Sequence, residues 1–332
     1  MGARSMTDQR RKSRAAWLSV ASNTTLVVLK IAAGLLVGSV SILSEAIHSG
    51  VDLLASFIAV MAVRASSKPP DERHPFGHGK VESISGTIEA LLIFVAGGWI
   101  IYEAIHKLLA PEPLQMVHWG VAVMGVSALA NAAVSSHLFR VGRDTDSLAL
   151  IADGWHLRTD VWTSLGVALG MLAISVGGWL APNLDLTWVD PVIAIVVALM
   201  ILKAAYDLTG QSSRDLVDTS LPADEEELIK RHIRSQHQVL GFHHLRTRKA
   251  GDLRFIEFHL MVEAEMTVLE SHRITERLME WIQEHYPKST ITIHVEPCEL
   301  KCPPHCVAGC VLTDEQRAAR RADQGTQTPL GQ

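Results

Sequence analysis

The chain has 332 residues, of which 48% are hydrophobic, and a formal net charge of −5 with histidine neutral. This mildly acidic balance gives no electrostatic reason to expect a nucleic-acid partner, and the length suggests about two domains. The mean hydropathy is positive but modest, which indicates apolar segments diluted by a soluble part. Sixteen histidines against three tyrosines direct attention to metal-ion or proton chemistry.

Six apolar stretches follow one another through the first part of the chain. A membrane-spanning helix needs ~20 mostly apolar residues, and the stretches that approach this length are 16–37, 40–64, 85–108, 117–139, 148–179 and 187–207. The third, fourth and sixth are strongly apolar, whereas polar and ionisable residues interrupt the first, second and fifth. We therefore expect a basic N-terminal tail over 1–14 and six transmembrane helices over 15–212.

The distribution of lysine and arginine predicts the orientation. If the N-terminus is inside, the inner segments hold eleven of these residues, and the outer side holds Lys107 and little else. Cytoplasmic loops carry the excess of positive charge in membrane proteins. We expect an integral membrane protein, of the inner (cytoplasmic) membrane, with both termini in the cytoplasm.

The character of the chain changes after residue 212. Helical periodicity over 223–236 and 267–286, and alternating apolar residues in three short runs, predict the order αββαβ. The predicted strands are 241–249, 253–263 and 289–297. This order indicates a small α+β domain over 213–298. The tail over 299–332 carries cysteine and histidine first and is then polar, so we expect disorder from residue 311 onward.

Two apolar segments carry the same pattern, His-x-x-x-Asp, at His48–Asp52 and at His156–Asp160. Residues i and i+4 lie on one face of a helix, so each helix presents an imidazole beside a carboxylate. Two such helices facing each other offer two nitrogens and two oxygens, the ligand set of a tetrahedral zinc site. The other interpretation is that these histidines are polar groups that hold helices together.

An acidic residue precedes each histidine by three positions: Glu45 before His48 and Asp153 before His156. Helical spacing makes these acids candidates to orient the imidazoles or to relay protons. Alternatively, they form ion pairs with Lys30 or Arg158.

Three stretches resemble the signature segments of the cation diffusion facilitators, the zinc-transporter-type efflux proteins: SVSILSEAIHSGVDLLAS, DERHPFGHGKVES and LIADGWHLRTDVW. The resemblance extends from about residue 14 to 298. It implies a ferredoxin-like cytoplasmic domain, a homodimer, and a transport site at His48, Asp52, His156 and Asp160. In that family the two-His, two-Asp set is associated with zinc, and carboxylate-richer sets also accept cadmium, iron or manganese.

The loop after the second helix contains Asp71, His74 and His78. The resemblance implies a peripheral ion here, near the cytoplasmic entrance; the alternative is a solvated loop. Lys80 resembles the family lysine that pairs with an aspartate at the membrane–cytoplasm junction, here Asp218. Without that pairing these are two surface charges worth under ~1 kcal/mol.

Further metal-competent residues lie in the soluble part. Strand alternation places His294 and Glu296 on one face, and the matching family positions form a two-metal centre at the dimer interface: His243, His259, His272, His294 and Glu296. The family usually has aspartate where this chain has Glu296. A second cluster offers an accessory site for zinc or copper(I), or else reduced cysteines on a tail: Cys298, Cys302, His305, Cys306 and Cys310.

These observations together predict a divalent metal efflux transporter that exchanges zinc for protons by alternating access. Zn²⁺ is expected both as transported ion and as regulatory ligand, with the lipid bilayer and a second copy of the chain as partners. One alternative is the same transporter with iron, manganese, cobalt or cadmium as its main ion; another is a metal sensor or scaffold that transports nothing. An enzyme is not expected, because the sequence has no nucleophile–base arrangement, phosphate-cradling loop or open catalytic zinc motif.

Overall fold

The computed structural model describes residues 3–37, 40–109, 118–180, 188–300 and 304–326. The chain divides into two compact units, Met1–Leu216 and Val217–Gln332. The first unit is helical and the second contains the sheet. The boundary falls four residues after the predicted one, because the sixth helix continues to Leu216.

Six long helices form the first unit: α1 Ala3–Val37, α2 Val40–Ser66, α3 Lys80–Leu109, α4 His118–Asp144, α5 Leu148–Leu180 and α6 Val189–Leu216. They match the six predicted segments in order and place. Several helices extend beyond the apolar stretches at one end, where the sequence is polar and hydropathy gives no signal. Among the described residues, three helices are long and apolar enough to cross a membrane: Thr7–Ala33, Lys80–Leu109 and Pro191–Leu216. The fourth segment, predicted to be strongly apolar, is not among these three.

The six helices pack chiefly in three pairs, α1 with α2, α4 with α5 and α3 with α6. One apolar core joins α1, α2, α4 and α5, and a second joins α3, α5 and α6. Glycine allows the α3–α6 pair to approach closely, because a Cβ at Gly97 would lie 2.8 Å from a methyl carbon of Leu202. Small residues at helix interfaces serve this purpose in membrane proteins.

Polar contacts tie one end of the helices together. Arg11 on α1 pairs with Asp144 on α4 at 2.8 Å, and Lys80 on α3 donates to the Leu216 carbonyl on α6 at 3.3 Å. The starts of α1, α3 and α5 therefore share one end of the unit with the ends of α2, α4 and α6. We call this end, which carries the basic segments of the sequence, the basic end.

A buried ion pair lies at the basic end. Lys12 Nζ on α1 is 3.1 Å from Glu82 Oε1 on α3, and both side chains are 1% exposed. The same carboxylate accepts hydrogen bonds from Ser66 at 2.8 Å and from Ser147 at 2.5 Å. Glu82 thus joins α3 to α1, to α2 and to the turn before α5.

The second unit has the predicted order αββαβ: α7 Ala223–Arg234, β1 Gly241–Ala250, β2 Leu253–Val262, α8 Val268–His285 and β3 Ser289–Pro297. The sheet order is β1-β2-β3, with β1 antiparallel and β3 parallel to β2. Helix α8 begins with a capping box between Thr267 and Glu270. The apolar faces of α7, α8 and the sheet enclose one core.

The C-terminal segment differs from the expected disorder. Residues Gly309 and Val311 pair with the outer edge of β1, through Phe242 N–H to Gly309 O at 3.2 Å and Val311 N–H to Leu240 O at 2.9 Å. Two further helices form: α9 Pro304–Val307 and α10 Asp314–Thr326. Arg320 on α10 pairs with Glu263 at 2.5 Å, which attaches a helix that its polar composition alone would not stabilise.

Candidate metal centres

A cavity of about 460 Å³ lies among the helices of the first unit. Its walls include Asp52 from α2, His156 and Asp160 from α5, Asn131 from α4 and Lys30 from α1. Three of the four predicted transport ligands therefore face one space, as the i, i+4 spacing on two helices requires.

The imidazole of His156 contacts the carboxylate of Asp52 directly. His156 Nε2 is 3.1 Å from Asp52 Oδ1, and the two residues are 6% and 5% exposed. The other ring nitrogen, Nδ1, is buried and has no hydrogen-bond partner among the described residues. Asp160 Oδ2 accepts a hydrogen bond from Asn131 Nδ2 at 3.2 Å. Asp52 from α2 and His156 from α5 thus hold an oxygen and a nitrogen ligand at hydrogen-bond distance, and both side chains are buried.

The fourth predicted ligand, His48, belongs to α2, one turn before Asp52. The side chains of His48 and Glu45 lie outside the described residues, so their roles stay predictions.

A buried polar network adjoins the pair. Ser56 on α2 donates to Asp153 Oδ1 at 2.8 Å and accepts from Asn23 Nδ2 on α1 at 2.8 Å. Arg158 donates to Ser136 instead, at 3.0 Å. The alternative ion pair of Asp153 with Arg158 is therefore not formed here. The proposed role of Asp153 in orienting His156 or relaying protons stays a prediction.

The loop between α2 and α3 gathers Asp71, His74 and His78, whose ligand atoms lie within 4.8 Å of one another. The Asp71 oxygens are 3.1 Å from His74 Nδ1 and 3.2 Å from His78 Nε2. The pKa of Asp71 is lowered, chiefly by the hydrogen bond from the His74 backbone N–H. Gly77, at φ 83°, makes the turn that brings the second histidine back.

A second group of ligands lies on the sheet. The strand register aligns His243, His259 and His294 in one row across β1, β2 and β3. Glu296 contacts the row: its oxygens are 2.9 Å from His243 Nε2, 2.6 Å from His259 Nδ1 and 3.4 Å from His294 Nε2. Burial opposes ionisation of Glu296, but hydrogen bonds from His243 and His259 outweigh it, so the pKa of this carboxyl is lowered.

Two further histidines of the second unit, His272 and His244, lie outside this row. His272 on α8 pairs with Glu276 of the same helix at 3.4 Å, and its part in the centre stays a prediction. His244, which sequence reasoning missed, has its ring 5.1 Å from that of His259. It lies at an irregularity of β1 with a φ of 50°. An alternating strand pattern cannot reveal such a bulge.

The remaining predicted sites are less defined. In the described part of the chain, the groups with three ligand atoms inside 4.8 Å are the loop and sheet triads, and neither includes a cysteine or the cavity residues. Cys298, Cys306 and Cys310 form no disulfide. Cys302 and the His305 side chain lie outside the described residues. Asp218 contacts Arg248 at 3.4 Å, and its predicted pairing with Lys80 stays a prediction.

Long helices around a cavity of carboxylate and imidazole, joined to a small α/β unit with a histidine row, define a membrane protein that handles metal cations. A family model described as the cation efflux transmembrane domain matches residues 16–217, and one described as the cation efflux protein cytoplasmic domain matches residues 221–298. The chain belongs to the cation diffusion facilitator family. It therefore has a helical transmembrane domain and a cytoplasmic α/β domain.

Individual relatives cover nearly the same range. An uncharacterized transporter of Synechocystis sp. is 37% identical over 283 residues, which are 85% of this chain and 89% of that protein. The cation-efflux pump FieF of Klebsiella pneumoniae is 33% identical over 285 residues, 86% of this chain and 92% of that protein. Among solved structures, one of the zinc-transporter candidate CzrB is 39% identical and covers 24% of this chain and 98% of its own, with a TM-score of 0.23.

Proposed function

We propose that this protein exports divalent cations, zinc first among them, from the cytoplasm in exchange for protons. One observation carries the proposal: the buried Asp52–His156 pair, at 3.1 Å, shares a cavity with Asp160. Ionisable groups at membrane depth are costly and mark ion pathways. Imidazole together with carboxylate suits zinc, whereas all-oxygen sites suit harder ions.

Proton exchange follows from the ligand chemistry. A metal ion binds ionised carboxylate and neutral imidazole, so binding releases protons and protonation releases the ion. If the cavity faces the two sides of the membrane alternately, an inward proton gradient drives the ion outward. The proposal includes His48 as fourth ligand.

The proposal extends to the whole assembly. Each subunit has six membrane spans and a ferredoxin-like cytoplasmic domain. The protein lies in the inner membrane with both termini in the cytoplasm, and two copies form a homodimer. Zinc on the loop and sheet triads acts as a regulatory ligand, which favours one arrangement of the dimer and so adjusts the transport rate. The sheet centre has Glu296 where the family usually has aspartate, and the longer side chain places its carboxylate further from the backbone of β3.

Transport by the cavity is tested with purified protein in vesicles under an imposed pH gradient. Asp52→Ala and Asp160→Ala should each reduce zinc uptake by about a hundredfold or more, because each removes a charged ligand. Asp207→Ala is the matched control, since Asp207 lies in an exposed pair with Lys203 on α6. Unaltered uptake in both cavity variants refutes the assignment. If the wild-type protein binds zinc but transports none, the result supports the alternative function, a metal sensor or scaffold.

Ion selectivity is tested at the fourth ligand. His48→Asp gives the carboxylate-richer ligand set that also accepts cadmium in the family, so the ratio of zinc to cadmium transport rates should fall by about tenfold, or ~1.4 kcal/mol. The ratio is measured with both ions in the same vesicle preparation. An unchanged ratio means that the side-chain set does not govern selectivity.

A further inference from the structure

Glu89 is a buried acid within α3, one of the helices long and apolar enough to cross a membrane. The residue is 0% exposed. Its Oε1 accepts a hydrogen bond from Ser85 Oγ at 3.1 Å, whereas Oε2 is buried and has no hydrogen-bond partner among the described residues. Neither the ligand set nor the sequence patterns include Glu89, so the transport site leaves this acid without a role.

Glu89 lies next to the cavity, on its side toward the basic end. Helix α3 begins at the basic end, and Glu89 precedes Ile93, which lines the cavity, by about one helical turn. Helix α5 also begins at that end, and there Asp153 precedes the ligand His156 by about one turn. Glu89 and Asp153 are therefore two buried acids at the level between the cavity and the basic end.

The surroundings of Glu89 hold one further acid and one imidazole. The charged groups that act on Glu89 from the helices packed against α3 are Asp153 and His156, both on α5, and the described residues of α2 and α6 contribute none. Glu89 makes no hydrogen bond to either of the two. Asp153 is 0% exposed and is a like charge when ionised. A carboxylate in such a place is costly, and a carboxyl group avoids that cost by holding a proton.

The hydrogen bond within α3 does not by itself require an acid at this position. The hydroxyl of Ser85 could donate equally well to the amide oxygen of a glutamine of the same shape. What the acid adds is an O–H bond that can break and form again. Ionisable groups at membrane depth are rare and serve in proton relays.

We propose that Glu89 carries one of the protons that the protein exchanges for each divalent ion. While the cavity is empty, Glu89 holds a proton. When the ion enters from the cytoplasm, its positive charge favours the carboxylate, the O–H bond breaks, and the proton leaves to water on that side. After the ion departs on the far side, a proton from that side restores the acid. This proposal deepens the transport function and rests on it.

The test is the zinc gradient that vesicles reach at steady state under a fixed pH gradient, with the membrane voltage removed by potassium and valinomycin. Each exchanged proton multiplies the steady-state ratio of zinc inside to outside by about tenfold per pH unit. Glu89→Gln keeps the shape and loses the proton, so under a gradient of about one pH unit this ratio should fall by about tenfold. A slower transporter reaches the same ratio later, so a merely structural role leaves the ratio unchanged.

Two further variants accompany this measurement. Glu89→Asp keeps a carboxyl group and should keep the ratio within about twofold of the wild type. Glu103→Gln is the matched control, because it makes the same change on the same helix at an exposed residue that pairs with Lys107. If Glu89→Gln is too slow to reach steady state, proton release on zinc binding to the purified protein gives the result. A pH-sensitive dye in weak buffer should then report about one proton fewer per zinc ion than in the wild type.

The outcomes separate this proposal from the transport function. A steady-state ratio in Glu89→Gln equal to that of the wild type, or a fall of the same size in Glu89→Asp, overturns the role of Glu89. A wild-type ratio that does not follow the pH gradient refutes zinc–proton exchange itself. A wild-type ratio that follows the gradient and is unchanged in Glu89→Gln refutes only the proton carrier.

Discussion

The cavity of the helical unit and the sheet centre place their ionisable groups in different surroundings. In the helical unit, Asp52 and His156 are 5% and 6% exposed, and the Lys12–Glu82 pair is 1% exposed on both sides. In the sheet unit, the side chains of Glu296, His259 and His294 are 28%, 36% and 65% exposed. Both sites gather imidazole and carboxylate, but the cavity removes them from water to a greater extent.

This difference indicates what an ion must do in each place. In the helical unit buried groups of the protein, among them Ser56, Asn131 and Lys30, contact one another and the carboxylates, so a change in one charge disturbs its neighbours. In the sheet unit water shares the solvation of the carboxylate and the histidines. Binding there costs less dehydration and perturbs less structure, which suits a site that responds to the ion rather than moves it.

The largest stability effect is expected at the buried pair of the basic end. Glu82→Gln removes the carboxylate that faces the buried Lys12 ammonium, and breaking such a buried pair costs about 3–5 kcal/mol. The free energy of unfolding is measured by denaturant titration of the protein in detergent. The exposed pair Arg11–Asp144, at 49% and 48% exposure, provides the control, and Asp144→Asn should cost under ~1 kcal/mol.

A double variant sharpens this comparison. Lys12→Met combined with Glu82→Gln removes both buried charges and should recover most of the lost stability, because neither charge then has to be desolvated. If Glu82→Gln costs no more than Asp144→Asn, burial does not distinguish the two pairs, and the cost assigned to a buried charge in the helical unit is wrong.

The fold was largely predictable because local patterns determine it. Apolar length gave the six helices, and alternation gave β1, β2 and β3 to within about one residue, better than such boundaries usually allow. The pairing of Gly309 and Val311 with β1 was missed, since it joins residues about seventy positions apart through backbone atoms that carry no sequence signal. The polar composition of α10 then suggested disorder.

The residues of the candidate transport site also fall into those that local sequence patterns predicted and those that only packing brings together. Spacing within one helix located Asp52, His156 and Asp160, because i and i+4 share a face. The contacts from other helices were not visible: Asn131 reaches Asp160 from α4, and Lys30 reaches Ser49 from α1. From the sequence, Lys30 was a candidate ion-pair partner for Glu45 or Asp153, and its contact with Ser49 was not predicted. Contacts between helices depend on packing that no local pattern encodes.

A smaller change in free energy than at the Lys12–Glu82 pair is expected for zinc binding at the sheet centre. Glu296→Gln removes the carboxylate that contacts His243, His259 and His294, so zinc affinity at this centre should fall by about tenfold or more, or ~1.4 kcal/mol. Affinity is measured on the full chain by competition with a chromophoric chelator. Both forms carry Asp52→Ala in addition, so that zinc binding in the cavity does not contribute to the measured affinity.

Uptake gives the second measurement on this variant. In the otherwise wild-type chain, Glu296→Gln should still transport zinc. In the wild type the uptake rate should increase over the zinc concentrations that fill the sheet centre, and in Glu296→Gln this increase should be absent. Glu284→Gln, at an exposed position of α8, is the control for surface charge. Loss of all uptake in Glu296→Gln would contradict a regulatory role, because it would mean that a partly exposed carboxylate in the sheet unit is as necessary as the buried Asp52.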